Sequence, residues 1–384
     1  MTEAEASGRW AFRRELGARW LLLLLALAPF ALYLPRALLG PSAAELSSVG
    51  FPQSPAPSAT HLLVLSVSAF DPGPQAGRLP GLNAWRTRAT NALGARPNAD
   101  VPAGNAASLW TGRTAAHHGV QSAEVALPDG TWTLAEAARA TGASTAAWLE
   151  APFVGTNAVG GFTSVAERPL WETTPLLDEL REFYAQRRER RTVVWVHLDR
   201  PEPARLDHLS GALLELLDET EVLGETLACL AIFTRDEAVP LEERRAVLWI
   251  APPEVGWGTR KSPSPTNFSD ATGALRELLR LPAPNPQRRQ SELQSDTESF
   301  LGILRGWEPE DAEAWIHGRD ATVWVRPESL VVAPRAPAND ARLRLIPERV
   351  DRAEHIARFR AAEARCERNA TQALPAHLPR EWRR

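Results

Sequence analysis

The segment 61-HLLVLSVSAF-70 decides the fold class, because it is almost wholly apolar and stops at the turn sequence 71-DPGP-74. An uninterrupted apolar run of this length, bounded by a turn signal, is typical of a strand buried on both faces of a parallel sheet. We therefore predict a buried strand over residues 61–70.

Downstream of this strand, strand-like and helix-like patterns alternate along the chain. The predicted strands are ASTAAWLEAPF (143–153), TVVWVHL (192–198), TLACLAIFT (226–234) and AVLWIAP (246–252). The predicted helices are TWTLAEAARATG (131–142), TPLLDELREFYAQRRERR (174–191) and LSGALLELLDETEVLG (209–224), the last ending at Gly224. This alternation favours an α/β fold with a mainly parallel central sheet flanked by helices. Ligands of such sheets bind beyond the carboxyl ends of the strands.

Composition places the chain among globular proteins and excludes some partners. Hydrophobic residues make up 44% and charged residues 23% of the 384 residues, and the net charge is −4. Without a basic surplus we expect no nucleic-acid partner. The two cysteines, Cys229 and Cys366, are too far apart in sequence for a CxxC site, and whether they form a disulfide stays open.

The N-terminal region carries an export signal. Arg9, Arg13, Arg14 and Arg19 precede the apolar run WLLLLLALAPFALYL at 20–34. A basic flank predicts a cytoplasmic N-terminus with the remainder translocated across the membrane. The segment is either retained as a single-pass anchor or cleaved as a signal peptide near Ala44. We predict an anchor or signal over 1–45, a Pro/Ser-rich spacer over 46–60, the α/β domain over 61–320 and a strand-helix extension over 321–384.

Several segments, in order along the chain, resemble the sulfatase branch of the alkaline phosphatase superfamily. They are HLLVLSVSAFDP, SLWTGRTAAHHGV, VVWVHLDRPEP, LACLAIFTRDEA and SDATGALRELLRLPAP. The matches run over roughly residues 61–285, with a weaker echo to the end. The resemblance implies an alkaline-phosphatase-like fold with a smaller C-terminal β/α part. It also implies a helix-borne nucleophile and a divalent cation, Ca²⁺ or Mg²⁺, held by aspartates at strand ends.

The residues of this chain depart from the family pattern at the nucleophile. The pattern Cys/Ser/Thr-x-Pro-Ser-Arg-x-x-Leu-Leu-Thr-Gly-Arg falls on 102-PAGNAASLWTGR-113, which puts Pro102 at the nucleophile position. Proline has no heteroatom for attack, and Gly104, Asn105 and Ala106 replace the Pro, Ser and Arg. Ser108 is the nearest hydroxyl, about 9 Å further along the helix axis. We therefore predict that no catalytic nucleophile is present.

The metal ligands that the resemblance implies are also depleted. Ser68 occupies the position of the first aspartate, and a neutral hydroxyl is a poor ligand for a hard cation. The later Asp-His or Asp-Asn pair survives only as Asp236 and Glu237, which we regard as vestigial ligands. We predict that no cation is retained; the alternative is that Glu237 serves as a substitute oxygen ligand for Ca²⁺ or Mg²⁺.

Four further polar residues are candidates to line the former pocket: Arg113, His118, His197 and Asp199. We interpret His118 as a structural residue beneath the site and Arg113 as a source of local contacts. His197 and Asp199 lie two residues apart at a strand end, and we expect them to form a hydrogen-bonded pair.

Two other motifs have structural interpretations. Asp270 is a candidate N-cap of a helix in SDATGALRELLRLPAP. Asn267 and Asn369 lie in NFS and NAT sequences, which match glycosylation acceptors in a host that glycosylates exported proteins.

Two functions of different classes follow from these observations. The first is an exported, membrane-tethered pseudoenzyme with a binding or scaffolding role, whose small-molecule or protein ligand the sequence does not identify. The alternative is an active sulfuric or phosphoric ester hydrolase in which water is activated by His118, His197 or Glu237. The alternative requires that two or more of these side chains, or of Asp71 and Asp236, converge on one metal-sized point.

Overall fold

The computed structural model describes the chain from residue 59 to residue 345, with gaps. The described ranges are 59–71, 78–122, 124–128, 131–150, 153, 158–170, 172–234, 238–253, 260–281, 301–304, 312–318, 321–326, 329–334 and 342–345. The predicted anchor, Asp236, Glu237 and Cys366 lie outside these residues. Within the described ranges, no helix combines the length and apolarity needed to cross a membrane.

The core of the fold is an eight-stranded sheet in the order β4-β3-β5-β1-β6-β7-β2-β8. The pairings are parallel except at β7, which runs antiparallel to β6 and β2. The mainly parallel sheet is thus confirmed. Its strands are β1 (His61–Ser68), β2 (Thr90–Arg96), β3 (Ser144–Leu149), β4 (Ser164–Glu167), β5 (Thr192–Asp199), β6 (Thr226–Ile232), β7 (Val247–Ala251) and β8 (Lys261–Asn267).

Strand β1 lies at the middle of the sheet, as its apolar sequence predicts. All eight of its residues are buried, and it pairs in parallel with β5 on one side and β6 on the other. Ser68 is opposite Asp199 in this register. The carboxyl ends of β1, β5 and β6 therefore meet at one edge of the sheet.

Three strands of the main sheet were not predicted from sequence: β4, which has only four residues, and β2 and β8, whose composition is polar or rich in proline. Strand β2 contains TNALGAR, and β8 contains KSPSPTN with prolines at 263 and 265. Proline cannot donate to a strand ladder, so it is confined to edge strands and bulges. Strand β8 is the last strand on its side of the described sheet, and its register with β2 shifts between Ala92 and Gly94.

Helices cover both faces of the sheet. One face packs against α1 (Pro80–Arg88), α5 (Thr173–Ala185) and α6 (Pro203–Glu219) around a hydrophobic core. The other face carries α2 (Pro102–Thr111), α4 (Leu134–Ala140) and α7 (Phe268–Leu278), with the short α3 (Ala115–His118) beside α2. Because side chains alternate along a strand, Ser66 and Ser68 point to this second face.

Helix α6 ends at Glu219, so the predicted end at Gly224 is wrong. Glu221 takes a left-handed conformation with φ of 58°, and the N–H of Val222 bonds back to the carbonyl of Leu217 at 3.0 Å. This is the geometry of a helix C-terminal cap, usually built on glycine. The buried Val222 pins the chain there, and Gly224 lies in a short 3₁₀ turn over Leu223–Glu225.

A smaller antiparallel sheet follows the main one, in the order β12-β11-β10-β9. Its strands are β9 (Ala314–His317), β10 (Ala321–Val325), β11 (Ser329–Pro334) and β12 (Arg342–Leu345). It agrees with the β part expected after the central domain. The domain boundary at residue 320 stays a prediction; the paired strands β9 and β10 lie on either side of it.

Candidate functional site

Helix α2 begins at Pro102, where the family resemblance places the nucleophile. Proline fits the first position of a helix because its missing N–H has no partner there in any case. Ser108 lies in the seventh position of the helix and is fully buried. The helix start and the remoteness of Ser108 therefore agree with the spacing argument, and the start of α2 offers no attacking atom.

The loop before α2 is closed by Asn105, the residue at the family's serine position. Its Oδ1 accepts hydrogen bonds from the backbone N–H groups of Asn98 and Ala99, at 2.7 and 2.9 Å. Its Nδ2 donates to the carbonyls of Ala99 and Val101, at 3.0 and 3.1 Å. With its amide fully used inside the loop, Asn105 is a structural residue.

Gly104 leaves no room for the proline of the family pattern. A Cβ added at Gly104 lies 2.5 Å from the Cβ of Ala99 and 2.7 Å from the carbonyl oxygen of Val120. Real Cβ atoms essentially never approach this closely. The start of α2 is thus packed directly on its neighbours, where the family keeps a side chain.

Ser108 and His118 form a buried pair, but its polarity is wrong for nucleophile activation. The His118 Nδ1 accepts from the Val120 N–H at 3.0 Å, so in the neutral ring Nε2 carries the proton and donates to Ser108 Oγ at 2.9 Å. Burial lowers the pKa of His118 to about 3, with His117 and Arg113 adding to the effect. A base must accept the hydroxyl proton, whereas this histidine donates one. The structural interpretation of His118 fits this geometry.

At the carboxyl end of β1, Ser68 belongs to a chain of buried hydrogen bonds. Trp195 Nε1 donates to Ser66 Oγ at 2.7 Å, and Ser66 Oγ lies 2.8 Å from His197 Nδ1. His197 Nε2 lies 3.1 Å from Ser68 Oγ. Since Ser66 already accepts from the indole, a consistent assignment has Ser66 donating to Nδ1 and Nε2–H donating to Ser68.

Aromatic rings enclose His197 at this edge of the sheet. Phe153 meets its ring edge-on at 4.6 Å and Phe233 stacks on it at 5.7 Å, measured between centroids. Trp195 stacks on Phe153 at 5.3 Å and contacts Trp110 of α2 at 5.2 Å. We call Phe153, Phe233, Trp195 and Trp110 the aromatic cage. Burial in the cage lowers the pKa of His197 to about 3, which keeps the ring neutral.

The described side chains of this cleft do not fit a divalent cation. The Ser68 hydroxyl is a neutral oxygen already hydrogen bonded to His197, and the surrounding rings supply no carboxylate. Across the described residues, no three His, Cys, Asp or Glu side chains gather as metal ligands. Ca²⁺ and Mg²⁺ need several oxygen ligands with negative charge among them. Asp236 and Glu237 lie outside the described residues, so their role stays a prediction.

Asp199 does not pair with His197, so that prediction is wrong. Both nitrogens of His197 are taken by serines of β1, and Asp199 is exposed at the strand end, where Arg200 turns the chain with φ of 46°. The Asp199 N–H instead donates to Glu150 Oε2 at 3.0 Å.

Glu150, which follows β3, links the end of β5 to α6 and to the backbone at Leu170. Its side chain is only 7% exposed and forms an ion pair with Arg205 of α6. It also accepts from the backbone N–H of Leu170 at 2.9 Å. The Glu150 carboxylate is therefore committed to structural contacts.

The remaining candidates have local roles where they are described. The Arg113 N–H donates to Thr111 Oγ1 at 3.2 Å, and Asp71 is exposed. Asp270 is not the N-cap of α7, so that prediction is wrong: the N-cap is Asn267, and Asp270 lies three residues later in the first turn. There its Oδ2 accepts from the N–H of Asn267 at 2.7 Å and from Thr266 Oγ1 at 3.0 Å.

The NFS sequence is inaccessible in the folded protein. Asn267 is 3% exposed, its Nδ2 donates to the carbonyl of Arg96 at 3.1 Å, and its Oδ1 accepts from the Trp315 N–H at 2.6 Å. Glycosylation at Asn267 is therefore incompatible with this fold. Asn369 lies outside the described residues.

The aromatic cage and its serine–histidine chain were missed at the level of sequence. The sequence does contain a signal. Two pairs of residues with polar groups lie within apolar runs, each pair spaced two residues apart: Ser66 and Ser68 on one strand, and Trp195 and His197 on another. Residues two apart lie on the same face of a strand. If the two strands are neighbours, the polar groups of the two pairs can therefore form hydrogen bonds with each other.

Comparison with known proteins gives the fold. No family model and no curated protein matches the sequence. A protein of the alkaline phosphatase superfamily from Vibrio parahaemolyticus is 14% identical, with a TM-score of 0.59 over 82% of this chain and 86% of its own. The phosphonate monoester hydrolase of Agrobacterium radiobacter is 14% identical, with a TM-score of 0.62 over 82% and 96%.

A 2-O GAG sulfatase is also similar, at 11% identity and a TM-score of 0.62 over 85% of this chain and 96% of its own. The resemblance expected from sequence is thus confirmed for the fold, which is that of the alkaline phosphatase superfamily and its sulfatases. Function has to be argued from the site.

Proposed function

We propose that this chain is a catalytically inactive sulfatase-like protein with a binding or scaffolding role. It is exported, and its N-terminal segment either tethers it to the membrane or is removed as a signal peptide. The basic flank and apolar run over residues 9–34 support the export part of the proposal. As part of this proposal, the protein binds no divalent cation.

The observation that carries the proposal is the aromatic cage around His197. Hydrolysis of a sulfate or phosphate ester at this edge of the sheet needs a polar cleft, an attacking group and a cation or equivalent positive charge. The described cleft instead holds close-packed rings, each at most 1% exposed, and a neutral histidine. A substrate anion would have to displace this packing to reach Ser68.

The departures at Pro102 and Ser68 support the same proposal independently of each other. Pro102 lies at the start of α2 and Ser68 at the end of β1, two places that chemistry in this fold would use together. Each residue is accommodated by its own surroundings, Pro102 by helix geometry and Ser68 by the bond to His197. Restoring one position therefore does not restore a site.

An assay of the purified full-length chain tests this proposal. We expect no hydrolysis of aryl sulfate or aryl phosphate esters above the buffer rate with Ca²⁺, Mg²⁺, Mn²⁺ or Zn²⁺. The matched variant is Asp236→Ala, which removes the aspartate that the chain keeps in the family's Asp-His or Asp-Asn pair. Metal-dependent turnover by the wild type that this variant abolishes rules the proposal out and establishes the hydrolase alternative.

A further inference from the structure

A second feature of the molecule is a shallow, solvent-open groove with an enclosed volume of about 30 Å³ between α2, the loop entering α4, and α7. Its lining includes Trp110 and Gly112 at the end of α2, Trp132 before α4, and Gly273 and Arg276 on α7. The enclosed space is only large enough for water molecules, so a larger ligand would lie across the mouth of the groove. Of the aromatic cage, only Trp110 takes part in it.

Arg276 gives the groove a positively charged group. The side chain is half-buried, and burial lowers the pKa of its guanidinium while the neighbouring Glu277 partly opposes the effect. Its guanidinium forms no hydrogen bond or ion pair with any residue in the described part of the chain. A partly desolvated guanidinium is stabilised when an anion takes its planar fork of donors.

Trp132 gives the groove an exposed apolar face. Its side chain is 42% exposed, whereas Trp85, Trp110, Trp195 and Trp324 belong to the fully buried side chains. An indole held at the rim of a groove stacks well on a flat ring and loses little conformational entropy in doing so. Trp132 is thus placed for contact with a ligand and contributes little to the core.

The floor of the groove is closely packed. Gly112, with φ of 70°, and Gly273 carry no side chains, and a Cβ added at Gly112 would lie 3.2 Å from that of Thr272. The Nε1–H of Trp110 is buried and finds no acceptor among the described residues. Contacts with a ligand would therefore come from Arg276 and Trp132, which keep exposed surface.

We propose that this groove binds a small organic anion built on a flat ring. Its carboxylate, sulfate or phosphate group pairs with Arg276, and its ring lies against Trp132. The inference deepens the binding role proposed above and rests on it, but it involves neither Pro102 nor Ser68. Binding and turnover are therefore separable by experiment.

Calorimetric titration of the full-length chain with 2-naphthalenesulfonate tests the inference, because this probe has the ring and the anion but no hydrolysable ester. We expect saturable binding that Arg276→Gln weakens about tenfold or more, as befits loss of a charge-assisted pair. Trp132→Ala is expected to weaken it about threefold to tenfold. Arg245→Gln, at an exposed arginine outside the groove lining, is the matched control and leaves binding unchanged.

Titrations with related compounds identify which part of the ligand the groove recognises. Inorganic sulfate and neutral 2-naphthol each supply half of the probe and are expected to bind more weakly than the whole. 2-Naphthoate and 2-naphthyl phosphate then rank the three anionic groups. Absence of saturable binding, or equal binding by wild type and Arg276→Gln with unchanged thermal unfolding, overturns the inference. Either result leaves the proposed loss of catalysis standing, which only the turnover assay decides.

Discussion

Replacing Trp195 with alanine is expected to lower the free energy of unfolding by about 5 kcal/mol, at the upper end for loss of a buried aromatic side chain. Trp195 is fully buried, contacts Trp110, Phe153 and His197, and donates to Ser66. Removal leaves a cavity beneath α2 and deprives the hydrogen-bond chain of its first donor. Denaturant unfolding of the wild type and the variant measures the loss.

Two control variants separate packing from hydrogen bonding. Trp195→Phe keeps a ring but removes the donor, and it is expected to cost about 1–2 kcal/mol. Trp132→Ala removes an indole that is 42% exposed, with an expected change of about 0.5 kcal/mol. If Trp195→Ala destabilises no more than Trp132→Ala does, the cage is not the packed core that we infer, and the cleft is open.

Acid is expected to destabilise the protein well above the pH at which most carboxylates titrate. Burial lowers the pKa of both His118 and His197 to about 3, from an ordinary 6.5. In the unfolded chain these groups take up protons as pH falls through 6.5, whereas in the folded protein they stay neutral to about pH 3. The stability is therefore complete above pH 6.5 and is lost progressively as pH falls from there.

The expected size at pH 5 is about 2 kcal/mol for each histidine, or about 4 kcal/mol for the two. Urea unfolding at pH 7 and pH 5 measures it. His118→Gln and His197→Gln remove one titrating ring each, and each is expected to reduce the pH-dependence by about 2 kcal/mol. Burial also lowers the pKa of His61, which contributes to the remainder. Equal unfolding free energies for the wild type at both pH values contradict the burial of neutral histidines.

The strands and helices of the central sheet were predictable because their patterns are local. The apolar run over residues 61–70, bounded by a turn, is typical of a buried strand. The helix predicted at 131–142 is indicated by Thr133 and Glu136, which form a capping box. The antiparallel direction of β7 was not predictable, since a short apolar strand has the same composition in either direction.

The site was only partly predictable, because its decisive contacts join residues far apart in sequence. The loss of the nucleophile at Pro102 could be counted along the chain. The partners of His197 could not, since Ser66 and Ser68 are about 130 positions away and become neighbours only through the β1–β5 register. Asp199, close in sequence, was the natural but wrong partner. Likewise the groove at Arg276 joins three separate segments.

The central claim is that the cleft has lost the metal-binding site that hydrolysis in this fold would need. Measuring the metal content of the protein tests this claim most directly. Full-length protein and its Asp236→Ala and Glu237→Ala variants are dialysed against Ca²⁺ and Mg²⁺, and bound metal is measured by elemental analysis. The account predicts well below one cation per chain in all three proteins. One cation per wild-type chain, absent from either variant, contradicts it.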